Sequence, residues 1–141
     1  MLMGLLGGEK GALKRLFEVN RRVLAEHKDI PVTTFNTLLG VALWGYEKGS
    51  RDEPLTMQEL GERIGQPYTT VAHHLRYLGQ GELRRDGLGL VETSTYVLNR
   101  RQKVVKLTAK GRALVEQLAF LVGITIPQGS PPDANLSTDK G

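Results

Sequence analysis

Residues 56–78 constrain the folding of this 141-residue chain more than any other stretch. Thr56 stands three residues before Glu59. That is the spacing of a capping box, in which a hydroxyl and a carboxylate satisfy each other's backbone N–H groups. Leu55 and Leu60 flank the start at the positions of a hydrophobic staple. The spacing predicts a helix over 57–64 that turns Leu60 and Ile64 inward, and Gly65 stops it. Pro67 opens a second helix, 67–78, because the first helical position needs no N–H. Gly79 and Gly81 end that helix. Two short helices joined by a tight glycine turn make a helix-turn-helix.

The segments on either side extend the pattern. Val91 to Leu98 is rich in β-branched residues and Tyr, and Lys103 to Leu107 alternates in character. Together they read as a β-hairpin with Asn99-Arg100-Arg101-Gln102 at its tip. Thr108 caps a last helix, 109–122, with Leu114, Leu118 and Leu121 on one side. Upstream, Leu13, Leu16, Phe17, Asn20, Val23, Leu24 and His27 recur at helical spacing and predict an amphipathic helix over 10–28. Asp29-Ile30-Pro31 breaks it. A further helix starts at Thr33 or Thr34 and runs to Lys48, with Phe35, Leu38, Leu39, Ala42 and Leu43 as its apolar side. Residues 49–54 read as a loop. The fold class is mainly α with a small β-hairpin wing (α+β). The expected organisation is a flexible N-terminus over 1–9, a winged helix-turn-helix with flanking helices over 10–122, and a disordered tail over 123–141, rich in Pro, Gly, Ser and Asp.

Charge is unevenly distributed. The chain has a net charge of +4. From Gln66 to Arg112, nine Lys/Arg face three acids (Glu82, Asp86 and Glu92), so this third of the chain is strongly basic and the remainder mildly acidic. A basic lobe on a less basic body suggests a polyanionic partner. With no cysteine, the chain has neither disulfides nor zinc–thiolate sites. Met1 to Gly8 is too short for a signal-peptide core, and no stretch approaches the ~18 apolar residues of a membrane span. These features fit a cytoplasmic protein that does not enter a membrane.

The second helix of the pair carries the candidate chemistry. Val71, Leu75 and Leu78 share one side and should pack on Leu60 and Ile64. The other side presents Thr69, His73, Arg76 and Tyr77, with Thr70 and His74 on a flank and Gln66 and Tyr68 at its start. No acid lies on this helix. Thr, His and Arg can meet base edges in a major groove, and Tyr and the helix N-terminus can meet phosphates. An ordinary solvated helix would explain the apolar face equally well, but the absence of carboxylates less naturally. Arg100 and Arg101 at a projecting turn suit phosphates or a minor groove. Lys103 and Lys106 face opposite sides of their strand, so only one of them, Lys103, is taken as a DNA contact.

Residues 56–111 resemble the MarR-type winged-helix regulators in three blocks. Thr56 to Gly65 is similar to the first helix of the motif, and Tyr68 to Leu78 to its recognition helix. Arg100-Arg101 followed by Val104-Val105-Lys106-Leu107-Thr108-Ala109-Lys110-Gly111 is similar to the wing arginines and the Leu-Thr-x-x-Gly helix start. With the flanking helices the likeness covers residues 10–122. It implies a homodimeric regulator of pseudo-palindromic double-stranded DNA. Base contacts would lie near Thr69, Thr70 and His73, with a wing arginine in the minor groove. It also implies a small aromatic effector bound between the DNA-binding lobe and the dimer helices. Three departures stand out. Asn99 replaces the usual Asp, Arg84 to Leu98 is long enough to require a longer or bulged wing, and the last helix is short.

Other chemistries find little support. His73 and His74 point about 100° apart on one helix, and His27 lies on another, which does not make a converging metal site. No phosphate loop, nucleophile elbow or usefully spaced carboxylate pair appears, so neither a cofactor nor an enzyme is expected. The rival reading is a winged-helix module that grips a protein, for example in a phage, plasmid or replication assembly. RNA binding lacks the clustered surface aromatics that stack bases.

Overall fold

Residues 7–47, 53–82 and 85–123 are described by the computed structural model, in which five helices accompany two short antiparallel hairpins. The chain divides into two compact units. One comprises residues 7–28 with 116–123, the other Asp29–Val115. The expected tail beyond Gly123, and residues 48–52 at the end of the expected second helix and in the expected loop, lie outside the described residues. Among the described residues, no helix is long and apolar enough to cross a membrane.

The larger unit is built around the helix-turn-helix. Helix α2 (Val32–Trp44), α3 (Met57–Ile64) and α4 (Tyr68–Leu78) pack against one another. The capping box forms as expected. Glu59 N–H donates to Thr56 Oγ1 at 3.0 Å, and Thr56 N–H donates to Glu59 Oε1 at 2.8 Å. Gly65 ends α3 at φ 86°, a conformation in which a side chain would be strained. Leu60, Val71, Leu75 and Leu78 are buried as anticipated, whereas Ile64 is half-buried.

Helix α2 departs from the sequence reading. It ends at Trp44 rather than Lys48, because Gly45 leaves the helix and Tyr46 N–H donates to Val105 O at 2.7 Å, adding a rung beside the hairpin. Its buried face is Thr34, Thr37, Leu38, Gly40 and Val41, while Leu43 is exposed. Position on the helix decided burial here, not apolarity. Leu43 lies about 140° around the helix from Leu38, whereas Thr34 and Val41 lie within about 60° of it. A Cβ at Gly40 would overlap the side chain of half-buried Ile64, which would have to move.

After α4 the chain forms a short ribbon, β1 (Gly81–Glu82) with β2 (Arg85–Asp86), and then the wing, β3 (Val91–Tyr96) with β4 (Asn99–Leu107). The ribbon was not anticipated. The wing runs in register from Val91↔Leu107 to Thr95↔Lys103 and then jumps to Tyr96↔Asn99. Arg100, Arg101 and Gln102 therefore bulge out of the ladder, which answers the expectation of a long or bulged wing. The expected tip is corrected. The strands are joined by Val97-Leu98, and Asn99 to Gln102 lie on the returning strand. Tyr96 is held by edge contact with Tyr46 (centroids 6.0 Å apart), and Asn99 Oδ1 accepts from Arg101 N–H at 3.1 Å. That local turn on Asn99 is the same chemistry that marks hairpin tips, but here it shapes a bulge.

Helix α5 (Ala109–Gly123) starts from a lock of three hydrogen bonds. Thr108 N–H donates to Leu90 O (3.0 Å), Thr108 Oγ1 donates to Gly89 O (2.6 Å) and Lys110 Nζ donates to Leu88 O (2.9 Å). Thr108 Oγ1 also accepts from Gly111 N–H at 3.0 Å, capping the helix. Leu90, Val91, Val104, Val105 and Leu114 complete the core of this unit.

In the smaller unit, α1 (Gly7–Glu26) begins earlier than expected, so residues 7–9 are helical rather than loose. Glu9 in the first turn favours this start through the helix dipole. Arg22 Nε donates to Gln117 Oε1 at 2.8 Å and its guanidinium pairs with Glu26 at 2.6 Å. Val19, Val23 and Leu118 are buried. Leu13, Leu16, Phe17, Leu24, Phe120 and Val122 remain exposed.

Candidate nucleic-acid interface

Helix α4 follows Gly65 and Pro67, which place its first turn at the surface. The helix has no side-chain cap, so its leading N–H groups are left for an outside acceptor. Thr69, His73 and Arg76 are exposed along one side, Tyr68 is exposed at the start, and Thr70 and Tyr77 are half-buried at its edges. These residues form one face without a carboxylate. Gln66 is half-buried in the turn, its Nε2 3.4 Å from Thr33 O.

His74 does not belong to this face. It is 7% exposed, and its Nδ1 lies 2.9 Å from Thr37 Oγ1. Thr37 Oγ1 also lies 3.2 Å from Thr33 O, so the hydroxyl links the imidazole to the α2 backbone. The expectation that His74 meets DNA is thus corrected. It stands three residues after Val71 and four before Leu78, within the same apolar stripe. Its imidazole pKa is lowered, first by burial and then by neighbouring His73.

A fold that holds His74 neutral loses stability when the unfolded chain can take a proton that the folded chain resists. This contribution is complete above the ordinary value of 6.5 and is lost as pH falls through the lower folded value. Melting temperature should therefore drop between pH 7.5 and 5, and His74→Gln should flatten that drop. Thermal denaturation across the range gives the answer, and identical pH profiles for the two proteins would refute the assignment.

His73, His74 and Tyr77 also line a cavity of about 200 Å³ with Asp29, Pro31 and Thr34. The cavity lies beside α4, bordered both by exposed His73 and by buried His74. Sequence reasoning missed this cavity, since Asp29 and Pro31 signalled only a helix break.

On the wing, Arg100, Arg101 and Lys103 are exposed. Lys103 Nζ reaches Thr95 Oγ1 at 3.3 Å, whereas Lys106 pairs with Glu92 at 3.7 Å. Gln102 Nε2 donates to Pro54 O at 3.0 Å and ties the bulge to the approach of α3. Three cations are thus presented on the wing without a neutralising acid from Thr93 to Val105. Among the described residues, no group of three His, Cys, Asp or Glu could hold a metal ion.

No family model and no curated protein matches the sequence. Solved structures do. E. coli MarR in its apo form shares 22% identity with a TM-score of 0.53, over 86% of this chain and 79% of that one. The chain has the winged-helix fold of the MarR-type regulators. A point mutant of S. aureus MepR, bound to an oligodeoxyribonucleotide, shares 21% identity at TM-score 0.53, over 75% of this chain and 66% of MepR. CouR from Rhodococcus jostii RHA1, bound to p-coumaroyl-CoA, shares 17% identity at TM-score 0.53, over 87% of this chain and 77% of CouR. The chain thus spans just under two thirds of the MepR length. Within this MarR-type fold, α3 and α4 are the helix-turn-helix and β3–β4 is the wing.

Proposed function

We propose that this chain is a MarR-type transcriptional regulator that binds double-stranded DNA by sequence, as a cytoplasmic homodimer, and acts by binding rather than catalysis. The observation that carries the reading is the exposed, carboxylate-free face of Thr69, His73 and Arg76 on the second helix of a helix-turn-helix. In a major groove these side chains meet base edges, while the uncapped first turn at Tyr68 to Thr70 meets phosphates. Arg100, Arg101 and Lys103 serve phosphates and the adjacent minor groove. A protein-gripping module would have no comparable use for a cationic wing beside such a helix.

The test begins with duplexes selected from a random pool and compared with unrelated DNA in a mobility-shift assay containing heparin. Binding that falls steeply with salt through counterion release, and that prefers the selected duplexes, supports the reading. Failure to retain any duplex defeats it. A small aromatic molecule in the cavity lined by His73, His74 and Tyr77 would bear on the DNA-reading helix. Release of DNA on adding such a molecule tests that role.

Dimerisation rests on apolar surface left open in a single chain. Leu13, Leu16, Phe17 and Leu24 are 47–61% exposed along α1, and Phe120 and Val122 are exposed on α5. A two-fold axis would bury these self-complementary rows. Sedimentation equilibrium at micromolar concentration should give about twice the 15.6 kDa chain mass. A 15.6 kDa species alone would refute it.

A further inference from the structure

The wing ends in a feature that a solvated turn does not explain. Val97 and Leu98, which join β3 to β4, are 82% and 81% exposed. Two-residue hairpin connections ordinarily use Asn, Asp or Gly, which supply the required backbone and remain hydrated. Here two adjacent branched apolar side chains project into water from the far end of a ribbon. Behind them the ribbon is braced by Tyr96 against Tyr46 and by Gln102 on Pro54 O. Arg100, Arg101 and Lys103 follow the tip on the returning strand and are exposed, and no acid occurs from Thr93 to Val105.

We infer that Val97 and Leu98 form an apolar wedge that enters the DNA minor groove and loosens a base step, while Arg100 and Arg101 hold the flanking phosphates. The inference rests on the DNA-binding reading above and deepens it. The cations beside the tip favour DNA as the occupant. An apolar knob meant for a protein pocket gains nothing general from three exposed cations with no acid on the same ribbon segment, whereas a knob meant for a groove between two phosphate rows is drawn in by them. Apolar side chains pressed between base pairs unstack them and bend the duplex, typically by about 20–90°. The bulge at residues 100–102 suits this arrangement, since it places both arginines on the side strand just behind the tip instead of at the apex. Flexible pyrimidine–purine steps would be favoured where the wedge enters, because they unstack most cheaply.

The test uses the full chain and a duplex selected by the wild type, labelled at both ends so that bending shortens the dye separation. Val97→Ser with Leu98→Ser should reduce affinity about tenfold and abolish most of the bend, while leaving the salt slope unchanged. Arg100→Ala with Arg101→Ala should lower the salt slope by roughly 0.9 for each phosphate no longer neutralised. Both pairs are exposed, and matching melting temperatures would confirm intact folding. Equal bending and affinity in the serine variant would overturn the wedge while leaving DNA binding in place. Failure of the wild type to bind any duplex would remove both. A serine variant that changes self-association without DNA, by sedimentation, would assign the tip to a protein contact and also overturn the proposal.

Discussion

Gly111→Ala should destabilise the protein by about 3 kcal/mol, against the usual direction for a glycine in a helix. Replacing a helical glycine with alanine ordinarily gains up to about 1 kcal/mol. At position 111, however, a Cβ would overlap the carbonyl oxygen of Leu90. That obstacle is backbone and cannot rotate away. Moving α5 aside would stretch the Thr108 bonds to Gly89 and Leu90 and the Lys110 bond to Leu88. It would also disturb Leu90, which is fully buried. Gly8→Ala supplies the contrast, because nothing lies within 4 Å of a Cβ there and α1 should be unchanged or firmer. Thermal denaturation should therefore show a clear fall for Gly111→Ala and no fall for Gly8→Ala. For a unit of this size, each kcal/mol corresponds to about 4–8 °C. A Gly111→Ala protein as stable as wild type would show that the close approach of α5 to the 88–90 loop is not maintained.

That contact also explains the Leu-Thr-x-x-Gly block near the end of the wing. Each of its marked residues has a local task. Leu107 closes the ladder opposite Val91, Thr108 caps α5 and fastens the preceding loop, and Gly111 lets the helix pass the backbone of Leu90. A sequence shows the residues but not the approaching loop, so the resemblance marked the Gly111 position while its role became legible only in the structure. The helix-turn-helix was legible directly, because capping box, glycine stop and apolar spacing are all local signals that agree. The wing tip was misplaced because Asn99 carries turn chemistry, and nothing local revealed that Tyr96 pairs with Asn99 and meets Tyr46, some fifty residues earlier. The error at His74 was avoidable. Angular position placed it with Val71 and Leu78, and polarity alone argued for the surface. Its partner Thr37 was not legible, since a threonine on α2 becomes a core group only once α4 supplies something for its hydroxyl to bond.

Removing two side chains from the front of α4 should have the largest effect on recognition. Thr69→Ala with His73→Ala should cost on the order of 1–3 kcal/mol for each base that is no longer read. Both side chains are exposed, and alanine is at least as good a helix former as threonine or histidine, so melting temperature should change little. The loss should appear as selectivity. Arg76, the wing cations and the first-turn N–H groups remain, so affinity for unrelated DNA and its salt slope should persist. Binding to selected duplexes should fall toward that same level, because phosphate contacts position the protein without distinguishing sequence. The measurement is a pair of titrations at one salt concentration, on selected and unrelated duplexes, repeated at a second salt concentration to obtain the slope. His73 also borders the cavity beside α4, so the single variants are needed to separate the two roles. Thr69 does not line that cavity, and Thr69→Ala alone should still narrow the gap between the two duplexes. If the double variant discriminates as well as wild type, α4 does not read bases, and sequence preference must come from elsewhere on the protein.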